Sequence, residues 1–181
     1  MTKKQKTAVN FLVIDRSGSM STRLEAARNG IAAFIRNLKA EVPDSRLGVI
    51  YFNGEYTPMF AGCVVDCPSL AFEPDGTTCQ WQTIERALSE MEKETANYKS
   101  LTLLSDGAHM QNAAWWPQMS TQNTASAAVK KAKAAGVNVG DHRYGPSLVG
   151  GGTSVALLGV TDNSVPSWVA TRICQYPYST A

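Results

Sequence analysis

The chain reads as an α/β protein in three layers, a doubly wound and mostly parallel sheet flanked by helices, and three observations predict this. Strand-like apolar runs alternate with amphipathic helical segments from end to end, the pattern of parallel strands joined by crossover helices. Several of the strand runs are nearly continuous in apolar residues, as strands buried on both faces must be. The length, 181 residues, suits one domain with a sizeable core and would cramp two.

Each element follows from its local pattern. Ala8 to Ile14 (Ala-Val-Asn-Phe-Leu-Val-Ile) is a buried strand, preceded by a tail over residues 1–7. Leu24, Ala27, Ile31, Ile35 and Leu38 recur at helical spacing until Pro43-Asp44 stops the helix. Leu47 to Phe52 is a second strand and Ala61 to Val65 a third, with Asn53-Gly54 as a turn signal between them. After the polar loop Glu73 to Thr78, a second helix buries Ile84, Ala87, Leu88 and Met91 and turns Glu85, Arg86, Glu90 and Lys93 outward. Leu101 to Leu104 is the next strand, ending at Ser105-Asp106-Gly107. A third helix spans Ala125 to Ala135 and closes at Gly136, where glycine tolerates the left-handed stop. Val137 to Tyr144 reads as a strand, Gly150 to Gly152 as a loop, Val155 to Val160 as a last strand and Pro166 to Cys174 as a last short helix. No internal repeat or linker interrupts the series.

Composition narrows the function. Apolar residues make up 44% and charged residues 18%, and the formal net charge of +2 is spread along the chain, a soluble globular balance. Lys3, Lys4 and Lys6, and helical Lys130, Lys131 and Lys133, are short runs of the kind that solvate a face, which argues against nucleic acid. The apolar run after the basic start is too short for a signal peptide or a membrane span and ends in Asp15, so a cytoplasmic location is expected. Cys63, Cys67, Cys79 and Cys174 are then expected as free thiols. Cys63-x3-Cys67 lacks a second close pair, and His109 and His142 stand alone, so zinc is disfavoured.

Ligands of such sheets bind outside the carboxyl ends of the strands, and the polar signal concentrates there. Asp15-Arg16-Ser17-Gly18-Ser19-Met20 follows the first strand, Thr77 and Thr78 lie before the second helix, and Asp106 follows Leu104. Alternation in an extended loop throws Asp15, Ser17 and Ser19 to one side. Two carboxylates and three hydroxyls are hard oxygen donors that suit Mg²⁺, Mn²⁺ or Ca²⁺ and not zinc or copper. With only two formal negative charges, the set leaves the cation open to a further anionic ligand.

Asp15-x-Ser17-x-Ser19, a Gly-Thr loop and a strand followed by Ser-Asp-Gly, in this order, resemble the metal-ion-dependent adhesion site (MIDAS) of von Willebrand factor type A and integrin inserted domains. The resemblance spans roughly residues 8–144 and is to stand-alone prokaryotic and phage members, including those linked to tellurite-resistance gene clusters. It implies a Rossmann-like fold in which Ser17 and Ser19 bind the metal directly. Asp15 and Asp106 act mostly through water, the loop threonine moves in or out of coordination, and the sixth position is left for an Asp or Glu carboxylate of a partner protein. In the family the metal-binding threonine commonly stands six residues before the first large apolar residue of the helix, which selects Thr78 (with Ile84) over Thr77. The stretch Asp75-Gly76-Thr77-Thr78 lacks the second glycine that many relatives carry, a departure in loop shape.

Arg16, Thr77, His109, Trp115 and Trp116 are candidates for a partner-binding rim. Trp115-Trp116-Pro117 reads equally as an aromatic ridge toward a partner or as rings packed under a loop. Arg16 guides an acidic partner or covers surface. Gly150-Gly-Gly-Thr153 falls after Asp106 in the chain and lacks the lysine of a phosphate-binding loop, so it is read as a plain loop. The leading reading is a non-enzymatic binding module with no nucleic-acid or membrane role and an open oligomeric state. The alternative is a Mg²⁺-dependent phosphatase or phosphotransferase of haloacid-dehalogenase type, with Asp15 as nucleophile. Ser17 stands where such enzymes carry a second Asp.

Overall fold

The structure, a computed structural model, describes residues 7–106, 115 and 119–143. The tail over 1–6, His109, Trp116, Tyr144, the Gly150 to Gly152 loop, Val155 to Val160 and Pro166 to Cys174 lie outside the described residues. Residue 7, counted with the tail in the sequence, is described: Thr7 O accepts from the backbone N–H groups of Asn97 and Tyr98.

Five strands form one sheet: β1 (Ala8–Asp15), β2 (Arg46–Phe52), β3 (Tyr56–Cys63), β4 (Tyr98–Ser105) and β5 (Val137–Arg143), in the order β3-β2-β1-β4-β5. β1 pairs in parallel with β2 and β4, and β4 with β5, while β2 and β3 form an antiparallel hairpin. The helices are α1 (Leu24–Glu41), α2 (Gln80–Glu92) and α3 (Gln122–Ala134). One core unites Leu12, Ile14, Leu47, Val49 and Tyr51 with Ile31, Phe34 and Leu38 of α1. The other unites Val9, Phe11, Val13, Leu101 and Leu103 with Ile84, Leu88 and Met91 of α2 and Val129 of α3. β1 is buried along its whole length, which explains its unbroken apolar run. Asn10 is its internal polar residue, and it is satisfied: its amide donates to Ser45 Oγ at 3.2 Å, and its carbonyl accepts from Ser100 Oγ at 2.6 Å.

Three expectations need correction. The third strand runs over Tyr56–Cys63, not from Ala61 to Val65; Val64 opens a short 3₁₀ turn instead. Pro58 obscured it, because proline breaks a strand pattern yet is tolerated on an edge strand near a bulge, and the register of this hairpin shifts at Val49/Ile50. α3 starts at Gln122, three residues earlier than the apolar pattern indicates, because Thr121 and Thr124 form a reciprocal capping box. Glu85, Arg86 and Glu90 do not simply face water. Glu85 accepts from Ser120 and Thr124, tying α2 to α3, and the Arg86 guanidinium lies 4.0 Å from the centre of the Tyr56 ring while Glu90 accepts the Tyr56 hydroxyl.

The chain leaves β1 toward β2 on one side, whereas β4 lies on the other. The carboxyl end of β1 is thus the point where the winding reverses, the place where sheets of this kind leave a crevice. Asp15 is its last residue.

Candidate metal centre

Asp15 is the centre of the arrangement. It is fully buried, and both its oxygens are held: Ser17 N–H donates to Oδ1 at 2.8 Å and Ser105 Oγ to Oδ2 at 2.7 Å. Loss of solvent raises its pKa from 3.8 to about 6; hydrogen bonds from Ser17 and Ser105 pull it down, and the charge of Asp106 pushes it up. The last effect places Asp106 within electrostatic range of Asp15, and Asp106 is itself half-buried at the end of β4.

After Asp15 the chain is extended at Ser17 and then enters a 3₁₀ turn over Gly18–Arg23. Ser17 is buried and Ser19 exposed, with their hydroxyl oxygens 3.1 Å apart. Extended backbone at the serine followed by a tight turn brings two side chains of alternate residues together, as the spacing predicts.

The threonine loop is knitted onto this turn by backbone. Gly18 N–H donates to Gly76 O at 3.1 Å, and Asp75 N–H to Arg16 O at 2.8 Å. Gly76 adopts φ +71, a left-handed value that costs glycine little and any side chain more. Thr78 is then buried, and its Oγ1 has no hydrogen-bond partner. Thr77 is only half-buried. An unpartnered buried hydroxyl costs on the order of 1–3 kcal/mol, and this one leaves an oxygen of the loop open to a further bond.

Sequence reasoning missed three residues here. Asn53, read as a turn residue, is buried: its side-chain amide donates to Asp75 O at 3.0 Å, and its backbone O accepts from the Cys79 N–H at 2.9 Å. The β2–β3 turn thereby buttresses the threonine loop. Gln80 and Ser105 are fully buried, with Gln80 Oε1 2.8 Å from Ser105 Oγ. The Ser-Asp-Gly motif points to Ser105. A polar residue opening a helix carries no signal, so nothing in the sequence marks Gln80.

Of the rim candidates, His109 and Trp116 lie outside the described residues. Arg16 is half-buried, and its Nε has no hydrogen-bond partner. Trp115 packs inward: its indole N–H donates to Gly54 O at 2.9 Å and its ring centre lies 5.7 Å from that of Tyr56. Cys79 is fully buried, and burial pushes its thiol up to about 11.

The residues fit a hard dication. Asp15, Ser17, Ser19, Thr78 and Asp106 offer oxygen alone, from three loops at one end of the sheet, and Thr78 supplies an oxygen whose bonding is unmet. No group of three or more His, Cys, Asp or Glu side chains placed to hold a metal occurs among the described residues.

No protein-family model matches the chain, and no curated protein matches it. Solved structures do. The pilus adhesin SpaC from Lactobacillus rhamnosus GG, in its open conformation, aligns with a TM-score of 0.61 at 18% identity over 77% of this chain and 24% of its own. A von Willebrand factor type A structure from Catenulispora acidiphila aligns with a TM-score of 0.57 at 16% identity, over 77% of this chain and 33% of that one. The minor pilin PilB from Streptococcus sanguinis gives 0.53 at 15% identity, over 80% of this chain and 51% of its own. The chain therefore spans about a quarter to a half of these proteins' lengths.

Proposed function

We propose, on the premise of the Rossmann-like von Willebrand factor type A fold that this chain has, that it is a protein-binding module built around a metal-ion-dependent adhesion site. Mg²⁺ is the proposed cation, with Mn²⁺ or Ca²⁺ as substitutes, and the ligand is an Asp or Glu carboxylate of a partner protein. The observation that carries this reading is the buried, unpartnered Oγ1 of Thr78, on a loop bonded to the turn that pairs the Ser17 and Ser19 hydroxyls.

Ser17, Ser19 and Thr78 would hold the ion through their hydroxyls, and Asp15 and Asp106 would hold it chiefly through water. When bound, the cation supplies a Lewis-acidic centre with a position open to an anionic oxygen. Asp15, fixed by Ser17 and Ser105, would supply one negative charge to the ion, and Asp106, which follows β4, would supply a second. The pilus adhesin among the neighbours of like fold supports a binding role. Against the phosphotransferase alternative, Asp15 is fully buried with both oxygens accepting hydrogen bonds, poorly disposed to attack phosphorus.

Thermal melting with Mg²⁺ or Mn²⁺ against chelator tests the reading. At a hundred times the dissociation constant, binding adds about 2.7 kcal/mol to stability, a rise of about 5–10 °C for a chain of this size. An unchanged melting point across millimolar Mg²⁺, Mn²⁺ and Ca²⁺ would refute it. So would phosphatase activity abolished by Asp15→Ala.

A further inference from the structure

We propose that Asn53 is a positioning residue of the cation site: it clamps the threonine segment on both sides of Thr78 and thereby makes the site prefer a small cation, Mg²⁺ or Mn²⁺, over Ca²⁺. This rests on the metal-binding reading above.

Asn53 follows the last residue of β2 and is 7% exposed. Each of its polar groups is engaged. Nδ2 donates to Asp75 O at 3.0 Å, and Oδ1 accepts from the Glu55 N–H at 2.9 Å. A carbonyl only accepts and a backbone N–H only donates, so these two partners fix which end of the amide is which. The backbone N–H of Asn53 donates to Glu55 O at 3.1 Å. Its backbone O accepts twice from one residue, from the Cys79 N–H at 2.9 Å and from the Cys79 thiol at 2.8 Å.

The bonds to Asp75 and Cys79 bracket Thr78. Between them, Nδ2 lies 3.4 Å from the point where a Cβ on Gly76 would stand, so the loop rests on the amide as well as being anchored by it. The preceding residue extends the clamp, because Phe52 O accepts from the Arg16 N–H at 2.8 Å. The end of β2 thus holds both the loop that carries Ser17 and Ser19 and the segment that carries Thr78. A buried hydroxyl whose backbone is pinned on both sides has little freedom to adjust its distance to an ion. Mg²⁺ demands near-octahedral oxygens at about 2.0–2.1 Å, whereas Ca²⁺ accepts about six to eight at about 2.3–2.6 Å in flexible geometry. A rigid threonine suits the smaller ion, and slackening the segment costs that ion more.

Metal titration of the full chain tests the inference, first with Mn²⁺ alone, counted by electron paramagnetic resonance, and then with Mg²⁺ and Ca²⁺ read by displacement of Mn²⁺. Asn53→Leu keeps the outline of the side chain and removes its donor and acceptor; Glu55 is exposed, so water replaces the bond it loses. Wild type is expected to bind Mg²⁺ more tightly than Ca²⁺. Asn53→Leu is expected to weaken Mn²⁺ and Mg²⁺ about ten-fold and Ca²⁺ by no more than about three-fold. Urea unfolding in chelator separates packing from ion binding, and Asn53→Ala serves the same titrations should Asn53→Leu not fold. Wild-type affinities in the variant with lowered chelator stability would overturn the inference, as would equal losses for all three ions or a wild-type preference for Ca²⁺. A wild-type protein that binds none of the three would instead overturn the metal reading itself, and this inference with it.

Discussion

Replacing Asp15 with asparagine is expected to stabilise the metal-free protein while abolishing its response to metal. The Asp15 carboxyl titrates at about 6 in the fold against 3.8 without it. The native state therefore binds the proton more tightly. The associated stability is fully present below pH 3.8 and is lost as pH rises through about 6. The shift corresponds to about 3 kcal/mol surrendered at neutral pH when no cation is bound. Asparagine removes the charge and keeps the shape. Its Oδ1 can still accept from Ser17 N–H, and its amide can donate to Ser105, whose proton then passes to Gln80 Oε1, 2.8 Å away. Every acceptor in the row keeps a donor and only the second amide N–H of asparagine gains no partner there, so a gain of about 1–2 kcal/mol at pH 7.5 in chelator is expected, or about 2–8 °C in melting temperature. The assay is paired melting of wild type and Asp15→Asn from pH 4.5 to 8, in chelator and in excess Mg²⁺. Wild type alone should lose stability with rising pH in chelator and regain it with Mg²⁺. A loss of more than about 1 kcal/mol in Asp15→Asn under chelator would refute the reasoning, since single substitutions at intact buried polar sites usually destabilise by that much. A surviving Mg²⁺ shift in the variant would equally refute it.

Other outcomes follow from the same geometry. Thr78→Val replaces the unpartnered buried hydroxyl with a methyl of like size. It should raise stability in chelator by about 1–2 kcal/mol and weaken Mg²⁺ binding, both readable in one set of urea titrations. Gly76→Ala places a side chain at φ +71, which should cost about 1 kcal/mol or more; equal stability would show that the loop relaxes freely. Trp115→Phe removes the indole bond to Gly54 O and should lower stability by about 1 kcal/mol, measurable by denaturant unfolding. Cys79, fully buried with its thiol pushed up to about 11, should resist alkylation at pH 8 while the half-buried Cys63 reacts. Peptide-resolved mass spectrometry after a short pulse reads this directly, and early labelling of Cys79 would contradict the packing described.

The sequence alone determined the layer architecture, because burial on both faces demands apolar strands and one-sided helices, and both periods are local properties. The run from Ala8 to Ile14, the faces of α1 and α2 and the glycine stop at Gly136 were all legible for that reason. So was the placing of Asp15, Ser17, Ser19 and Asp106 at strand ends, since a motif that follows a strand within a few residues cannot stray far from its carboxyl end. What depended on partners distant in the chain was not legible. The hairpin strand Tyr56–Cys63 exists because β2 pairs with it despite Pro58. The inward packing of Trp115 is set by Gly54 and Tyr56. Likewise, Asn53 and Gln80 acquire their roles only once residues 75–79 and 105 are folded against them. A hydrogen bond between residues far apart in the chain leaves no periodic trace, and only the folded backbone decides which buried polar groups meet.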